Sequence, residues 1–266
     1  EESQKDKVIC FPSAISGVVP VVNIPGIKNG ELLLTGELLT NIFTRKILFW
    51  NDPAIAAVNP NVKLPKAAII AIARQDGSGT TYNFTDYLSK VSSSWKEGFG
   101  TNFTVAWPTG ITQVKGSNAV SQAVKQTAGA IGYIDYSYVL QDQLTYAKLE
   151  NRAGRFVAPS AIAFASALSN SSWKTKANFE EMLTNQPGSN SWPITMGTFI
   201  IVPQTTNDPD ATVATLKFFT WAFLKGDEIV SGADFVKLPD RVQARIYSEL
   251  TKITDQDGKP LRWNLM

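Results

Sequence analysis

Residues 67–81 read Ala67-Ala68-Ile69-Ile70-Ala71-Ile72-Ala73-Arg74-Gln75-Asp76-Gly77-Ser78-Gly79-Thr80-Thr81. The first seven are apolar without alternation, which predicts a strand buried on both faces, as in a parallel sheet. Phe84, Tyr87, Leu88 and Val91 then recur at the spacing of one helix face. The local order is therefore strand, glycine-rich loop, helix. Outward from it, Val18-Val19-Pro20-Val21-Val22-Asn23 and Ala130-Ile131-Gly132-Tyr133-Ile134 repeat the buried-strand pattern. Val105–Trp107 and Phe199–Val202 are shorter expected strands. Helices are expected over Glu37–Phe43, from Asp52-Pro53 onward, and over Ser117–Gln126, Trp173–Leu183, Ala211–Leu224 and Asp240–Lys252. Asp52 and either Ser117 or Asn118 are the expected caps. The helix over 211–224 reads as amphipathic. Strands alternating with helices imply an α/β architecture with mainly parallel sheets.

The loop also carries chemistry. A helix start presents unpaired amides and a partial positive charge, and glycines let that backbone approach a ligand. Ser78, Thr80 and Thr81 add hydroxyls. Arg74 adds a planar guanidinium suited to tetrahedral oxyanions. These parts make an anion cradle. Asp76 is the odd member, since a carboxylate repels an anion. It fits if the anion carries a proton for it to accept. Phosphate always has an O–H near neutral pH and sulfate has none, so Asp76 would select phosphate, with Arg74 offsetting its charge. The competing reading is an ordinary strand–turn–helix connection in which Asp76 or Ser78 only caps the helix. The loop lacks the Gly-x-x-x-x-Gly-Lys-Ser/Thr and Gly-x-Gly-x-x-Gly patterns of nucleotide sites.

The 266 residues contain no histidine and one cysteine. Histidine-based triads and histidine metal sites are excluded, as is an intrachain disulfide. Cys10 sits beside Phe11-Pro12 and reads as a small core residue. The seven tryptophans are dispersed and read as core or edge packing rather than sugar platforms. Asp135 and Tyr136 read as a polar pair at a strand end, and Arg45-Lys46 as solvated. With 25 basic and 23 acidic residues and no basic run, no nucleic-acid footprint is visible. No cofactor or metal cluster is suggested. No apolar stretch is long enough for a membrane span, and Glu1–Lys7 is charged, unlike a signal peptide.

A chain-long set of segments resembles one family. It includes Phe11-Pro12, Gly17-Val18-Val19, Val22-Asn23-Ile24-Pro25-Gly26, Ile47-Leu48-Phe49-Trp50-Asn51-Asp52-Pro53 and Asn59-Pro60. It continues through Arg74–Thr80 with Phe84-Thr85-Asp86-Tyr87-Leu88, Gly129-Ala130-Ile131-Gly132-Tyr133, Trp192-Pro193-Ile194-Thr195, Leu216–Ala222 and Leu238-Pro239-Asp240. The family is the phosphate-binding proteins of bacterial ABC phosphate importers. The resemblance implies a two-lobed type II periplasmic-binding-protein fold with the first lobe incomplete. Residues 1–23 plus 197–266 would form that discontinuous first lobe, and 24–196 the second. Crossings between lobes would lie near Val21–Asn23 and Ile194–Gly197. The phosphate contacts implied are Arg74, Asp76, Ser78, Gly79 and Thr80. The family's first-lobe contacts have no counterpart here and would precede Glu1.

The expected function is thus a monomeric solute-binding protein, not an enzyme. It would hold inorganic phosphate and deliver it to an ABC permease, in the periplasm or at a bacterial surface. A surface or matrix phosphate-binding protein without a transport role is the alternative. A phosphate-ester hydrolase using Asp76 is disfavoured by the missing histidine.

Overall fold

The computed structural model describes residues 8–175 and 179–263. The chain forms two compact units. The larger comprises residues 16–171 and 182–196, and the smaller comprises 1–15, 172–181 and 197–266. Residues 172–181, assigned by the sequence reading to the 24–196 body, cluster with the smaller unit.

The strands are β1 (Val8–Asn23), β2 (Leu33–Leu34), β3 (Ile70–Arg74), β4 (Thr112–Val114), β5 (Ala130–Asp135), β6 (Thr145–Tyr146), β7 (Lys148–Glu150), β8 (Phe156–Val157) and β9 (Thr195–Pro203). The helices are α1 (Gly36–Phe43), α2 (Pro53–Val58), α3 (Gly79–Val91), α4 (Ser93–Gly98), α5 (Ser117–Gln126), α6 (Tyr136–Gln141), α7 (Ala161–Ser169), α8 (Pro209–Lys225), α9 (Asp227–Gly232) and α10 (Asp240–Leu250).

The main sheet has the order β4-β3-β5-β1-β6, with β9 also pairing β1. β3 runs parallel to β4 and to β5, with Arg74 opposite Val114 and Ala71 opposite Ile131. β1 is antiparallel to β5 and β6, with Val21 opposite Gly132 and Tyr146. The sheet is therefore mixed rather than mainly parallel. Val18–Val22 is buried on both faces, and that pattern carries no information about strand direction. A small second sheet, β2-β7-β8, completes the larger unit.

Aromatic packing fills the larger unit. Tyr133 of β5 stacks on Phe84 of α3 at 4.2 Å between ring centroids, and Phe43 of α1 meets both edge-on. Buried indoles find partners: Trp50 Nε1–H donates to Gly129 O and Trp192 Nε1–H to Val18 O. Without such partners, burying an N–H costs stability.

In the smaller unit the start of β1 and the end of β9 carry α8, α9 and α10. Phe11 packs edge-on against Phe219 and Phe223 of α8. Trp263 Nε1–H donates to Thr220 Oγ1, and a bridge joins Ile15 to Val236. α8 is not amphipathic in the expected sense. Leu216 and Thr220 are buried, yet Phe218, Trp221 and Leu224 are about half exposed, at 58%, 46% and 59%.

Other expectations are corrected. Cys10 is exposed, because Phe11 takes the inward place on β1. Val105–Trp107 is loop, and the strand beside β3 is the polar Thr112–Val114. Trp107 is instead turned so that Nε1–H donates to Arg74 O. Of Trp173–Leu183, only Ser172–Lys174 forms a short 3-10 turn, and residues 176–178 lie outside the described residues. α5 begins after Gly116, with neither Ser117 nor Asn118 capping it by a side chain. Arg45 is half-buried, left-handed in backbone, and donates to Ile69 O. Among the described residues no helix is long and apolar enough to cross a membrane.

Candidate anion site

In β4-β3-β5 three parallel strands end side by side, and each is followed by a helix start. Beyond β4 comes α5 at Ser117, beyond β3 comes α3 at Gly79, and beyond β5 comes α6 at Tyr136. Ligands of open α/β sheets sit at such carboxyl ends of strands. The loop from Arg74 to Thr80 leaves the middle strand.

Ser78 is the N-cap of α3. Its Oγ accepts from Thr81 N–H at 3.2 Å, while its own N–H donates to Phe103 O. The Ser78 hydroxyl proton stays available for a ligand. The amides of Gly79 and Thr80, the first two of the helix, donate to no group among the described residues. These are the orphan donors a helix start must satisfy from outside. A Cβ built on Gly79 would meet nothing within 4 Å, so glycine is not required there by protein packing. Its bare backbone opens onto free space.

Arg74 and Asp76 form a forked ion pair. Nε–H donates to Asp76 Oδ1 at 2.7 Å and Nη2–H to Oδ2 at 2.6 Å, and Nη1–H donates to Ser117 Oγ at 3.2 Å. Gly116 N–H adds a bond to Asp76 Oδ1 at 3.1 Å. The hydrogen bonds from Arg74 hold the Asp76 carboxyl well below the usual carboxylate range, and the same fork raises the Arg74 guanidinium. Both groups are charged, and together they are neutral. Oδ1 already accepts two bonds, whereas Oδ2 accepts one and keeps a lone pair. Of the five guanidinium N–H donors, three are used among the described residues, leaving one on each terminal nitrogen.

Arg74, Asp76, Ser78, Gly79 and Thr80, the residues singled out from the sequence, thus lie on one loop and the first turn of α3. Sequence reasoning missed Gly116 and Ser117, which grip Asp76 and Arg74 from the next helix start. A signal was present, because Val114-Lys115-Gly116-Ser117 repeats the order of strand end, glycine, helix start. It also missed Tyr133, whose buried hydroxyl reaches this loop from β5. Asp135 caps α6, accepting from Ser137 N–H at 2.8 Å. Thr81 faces inward to Tyr133, away from the role of ligand donor. Among the described residues no cluster could hold a metal ion.

Comparison with known proteins follows the same line. A model of the PBP superfamily domain matches residues 1–225. The phosphate-binding protein PstS of Pasteurella multocida is 44% identical over 256 residues, covering 96% of this chain and 74% of that protein. That of Haemophilus influenzae is 44% identical over 92% of this chain and 73% of its own length. Among solved structures, a human phosphate binding apolipoprotein superposes with a TM-score of 0.73 at 19% identity, over 97% of this chain and 80% of that one. A phosphate-binding protein from Stenotrophomonas maltophilia gives 0.66 at 17%, over 91% and 70%. These structural neighbours share the fold, as expected from the sequence. With the domain model spanning most of the chain and relatives at this identity, the chain belongs to the PstS phosphate-binding proteins of the PBP superfamily.

Proposed function

We propose that this chain is a solute-binding protein for inorganic phosphate, and that Arg74, Asp76, Ser78, Gly79 and Thr80 supply its contacts from the larger unit. One observation carries the reading. The forked Arg74–Asp76 pair is neutral and preorganised, and it lies on the same loop as two amides and two hydroxyls with donors to spare. Such a site binds an anion through many directed hydrogen bonds rather than through net charge. The Asp76 Oδ2 lone pair can accept the one proton that distinguishes phosphate from sulfate. With sulfate, that lone pair would face an oxyanion oxygen with no proton between them.

Asp76 has a double role in this reading. It orients the guanidinium first and accepts the ligand O–H second. No bond is made or broken, since the site offers donors and one acceptor and no activated nucleophile. The relatives' name supports delivery of phosphate to an ABC permease and a place outside the inner membrane. A monomer suffices for that role.

Calorimetric titration of phosphate and of sulfate into the chain tests the reading. Phosphate is expected to bind at least about a hundredfold more tightly, the size of an unmade charged hydrogen bond. Asp76→Asn should weaken phosphate and narrow the ratio. Equal binding of the two anions by the unmodified chain would overturn it.

A further inference from the structure

We propose that Tyr133 is a positioning residue of the anion cradle, its buried hydroxyl tying the backbone of Arg74 to the first turn of α3. The ligand in this inference rests on the phosphate reading above, but the tie itself does not.

A loop holding Gly77 and Gly79 is conformationally permissive, and a binding site built on it gains affinity only if something else fixes it. The fixing groups come from outside the loop. The Tyr133 phenol oxygen accepts the Arg74 N–H at 3.2 Å. The same hydroxyl shares a 2.7 Å hydrogen bond with Thr81 Oγ1, which is fully buried. One oxygen thus joins the last residue of β3 to the first turn of the helix whose amides face the ligand. On the other side of Arg74, Trp107 Nε1–H donates to its carbonyl at 3.1 Å. Arg74 is consequently held at its N–H by Tyr133, at its carbonyl by Trp107, and at its guanidinium by Asp76 of the same loop and by Ser117.

The phenol ring cannot swing away. It stacks on Phe84 with an interplanar angle of 7° and meets Phe43 at 5.7 Å. Burial raises the phenol to about 12, so it remains a neutral hydroxyl able to donate and accept at once. Removing its oxygen would take from the Arg74 N–H its acceptor and from the buried Thr81 Oγ1 its hydroxyl partner.

The test uses the 266-residue chain, unmodified and as Tyr133→Phe, with Thr81→Ala as a second variant that cuts the same tie from the helix side. Phosphate affinity is measured by calorimetry well below the melting temperature, and amide hydrogen exchange of Arg74 by NMR. Tyr133→Phe is expected to weaken phosphate about tenfold, one buried hydrogen bond's worth, and to speed Arg74 exchange by a similar factor. Thr81→Ala should move both in the same direction. A folded variant with unchanged Arg74 exchange, or with faster exchange but unchanged affinity, would overturn the inference. If the unmodified chain binds no phosphate, the ligand reading falls, and the exchange rates alone decide whether the tie exists. If Tyr133→Phe does not fold, Thr81→Ala decides.

Discussion

The two units solve the problem of burying apolar surface to different degrees. In the larger, the bulky aromatics Trp50, Trp95, Trp192, Phe43, Phe84, Tyr87, Tyr133 and Phe164 are closed off from solvent, although Phe49, Phe103 and Ile162 are exposed. In the smaller, Phe11, Ile15 and Trp173 are enclosed, but Phe199 and Ile201 of β9, Phe218, Trp221 and Leu224 of α8 and Ile229 of α9 are exposed. A helix apolar on opposite faces is ordinarily covered on both. The relatives extend beyond the matched region, since the chain spans 74% of the Pasteurella protein. The anion loop belongs wholly to the larger unit, where two of its anchors, Tyr133 and Trp107, are buried side chains and Ser117 is half-buried. The contrast teaches that a glycine-containing loop is held in place where the aromatic side chains beneath it are packed away from solvent.

The largest effect that would test this contrast is a cavity in the closed unit. Phe84→Ala removes the ring on which Tyr133 stacks, and is expected to cost about 3–5 kcal/mol in chemical denaturation. Next comes alkaline pH. The Tyr133 phenol is raised from its ordinary 10.0 to about 12 in the folded chain, chiefly by burial. Its contribution is therefore fully present below pH 10 and is lost as pH rises through about 12, because the unfolded chain gives up that proton first. The limb is worth on the order of 3 kcal/mol, and Tyr133→Phe should remove that part of the alkaline fall in melting temperature. The smallest effect is expected on the open face. Phe218→Ser should change stability by no more than about 0.5 kcal/mol, as surface substitutions do. If it cost as much as Phe84→Ala, the contrast between the units would be broken.

Much of the closed unit was legible in the sequence. The apolar run before Arg74 and the helix face Phe84, Tyr87, Leu88, Val91 lie where β3 and α3 are found. The misreadings have physical causes. Ala161–Ser169 is apolar on nearly all sides, so it shows little periodicity, and α7 escaped notice. β6, β7 and β8 are two or three residues long, too short for any pattern. Val105–Trp107 looks like a strand by composition, but Trp107 is recruited to the Arg74 carbonyl. At the site, residue types announced the loop itself. The engagement of Asp76 by Arg74 could be guessed from their spacing, and the glycine and helix start at Gly116-Ser117 were visible, whereas that Ser117 and Tyr133 reach Arg74 depends on strand register, which no local pattern encodes.

The most direct test of the central claim, that the Arg74–Thr80 loop is the phosphate half-site, is a titration of phosphate into the ¹⁵N-labelled chain. The account predicts that the amides of Gly79 and Thr80 and the terminal Nη–H groups of Arg74 shift together and saturate, with sulfate moving them far less. Phosphate binding that shifts other resonances while Gly79, Thr80 and Arg74 stay in place would contradict it.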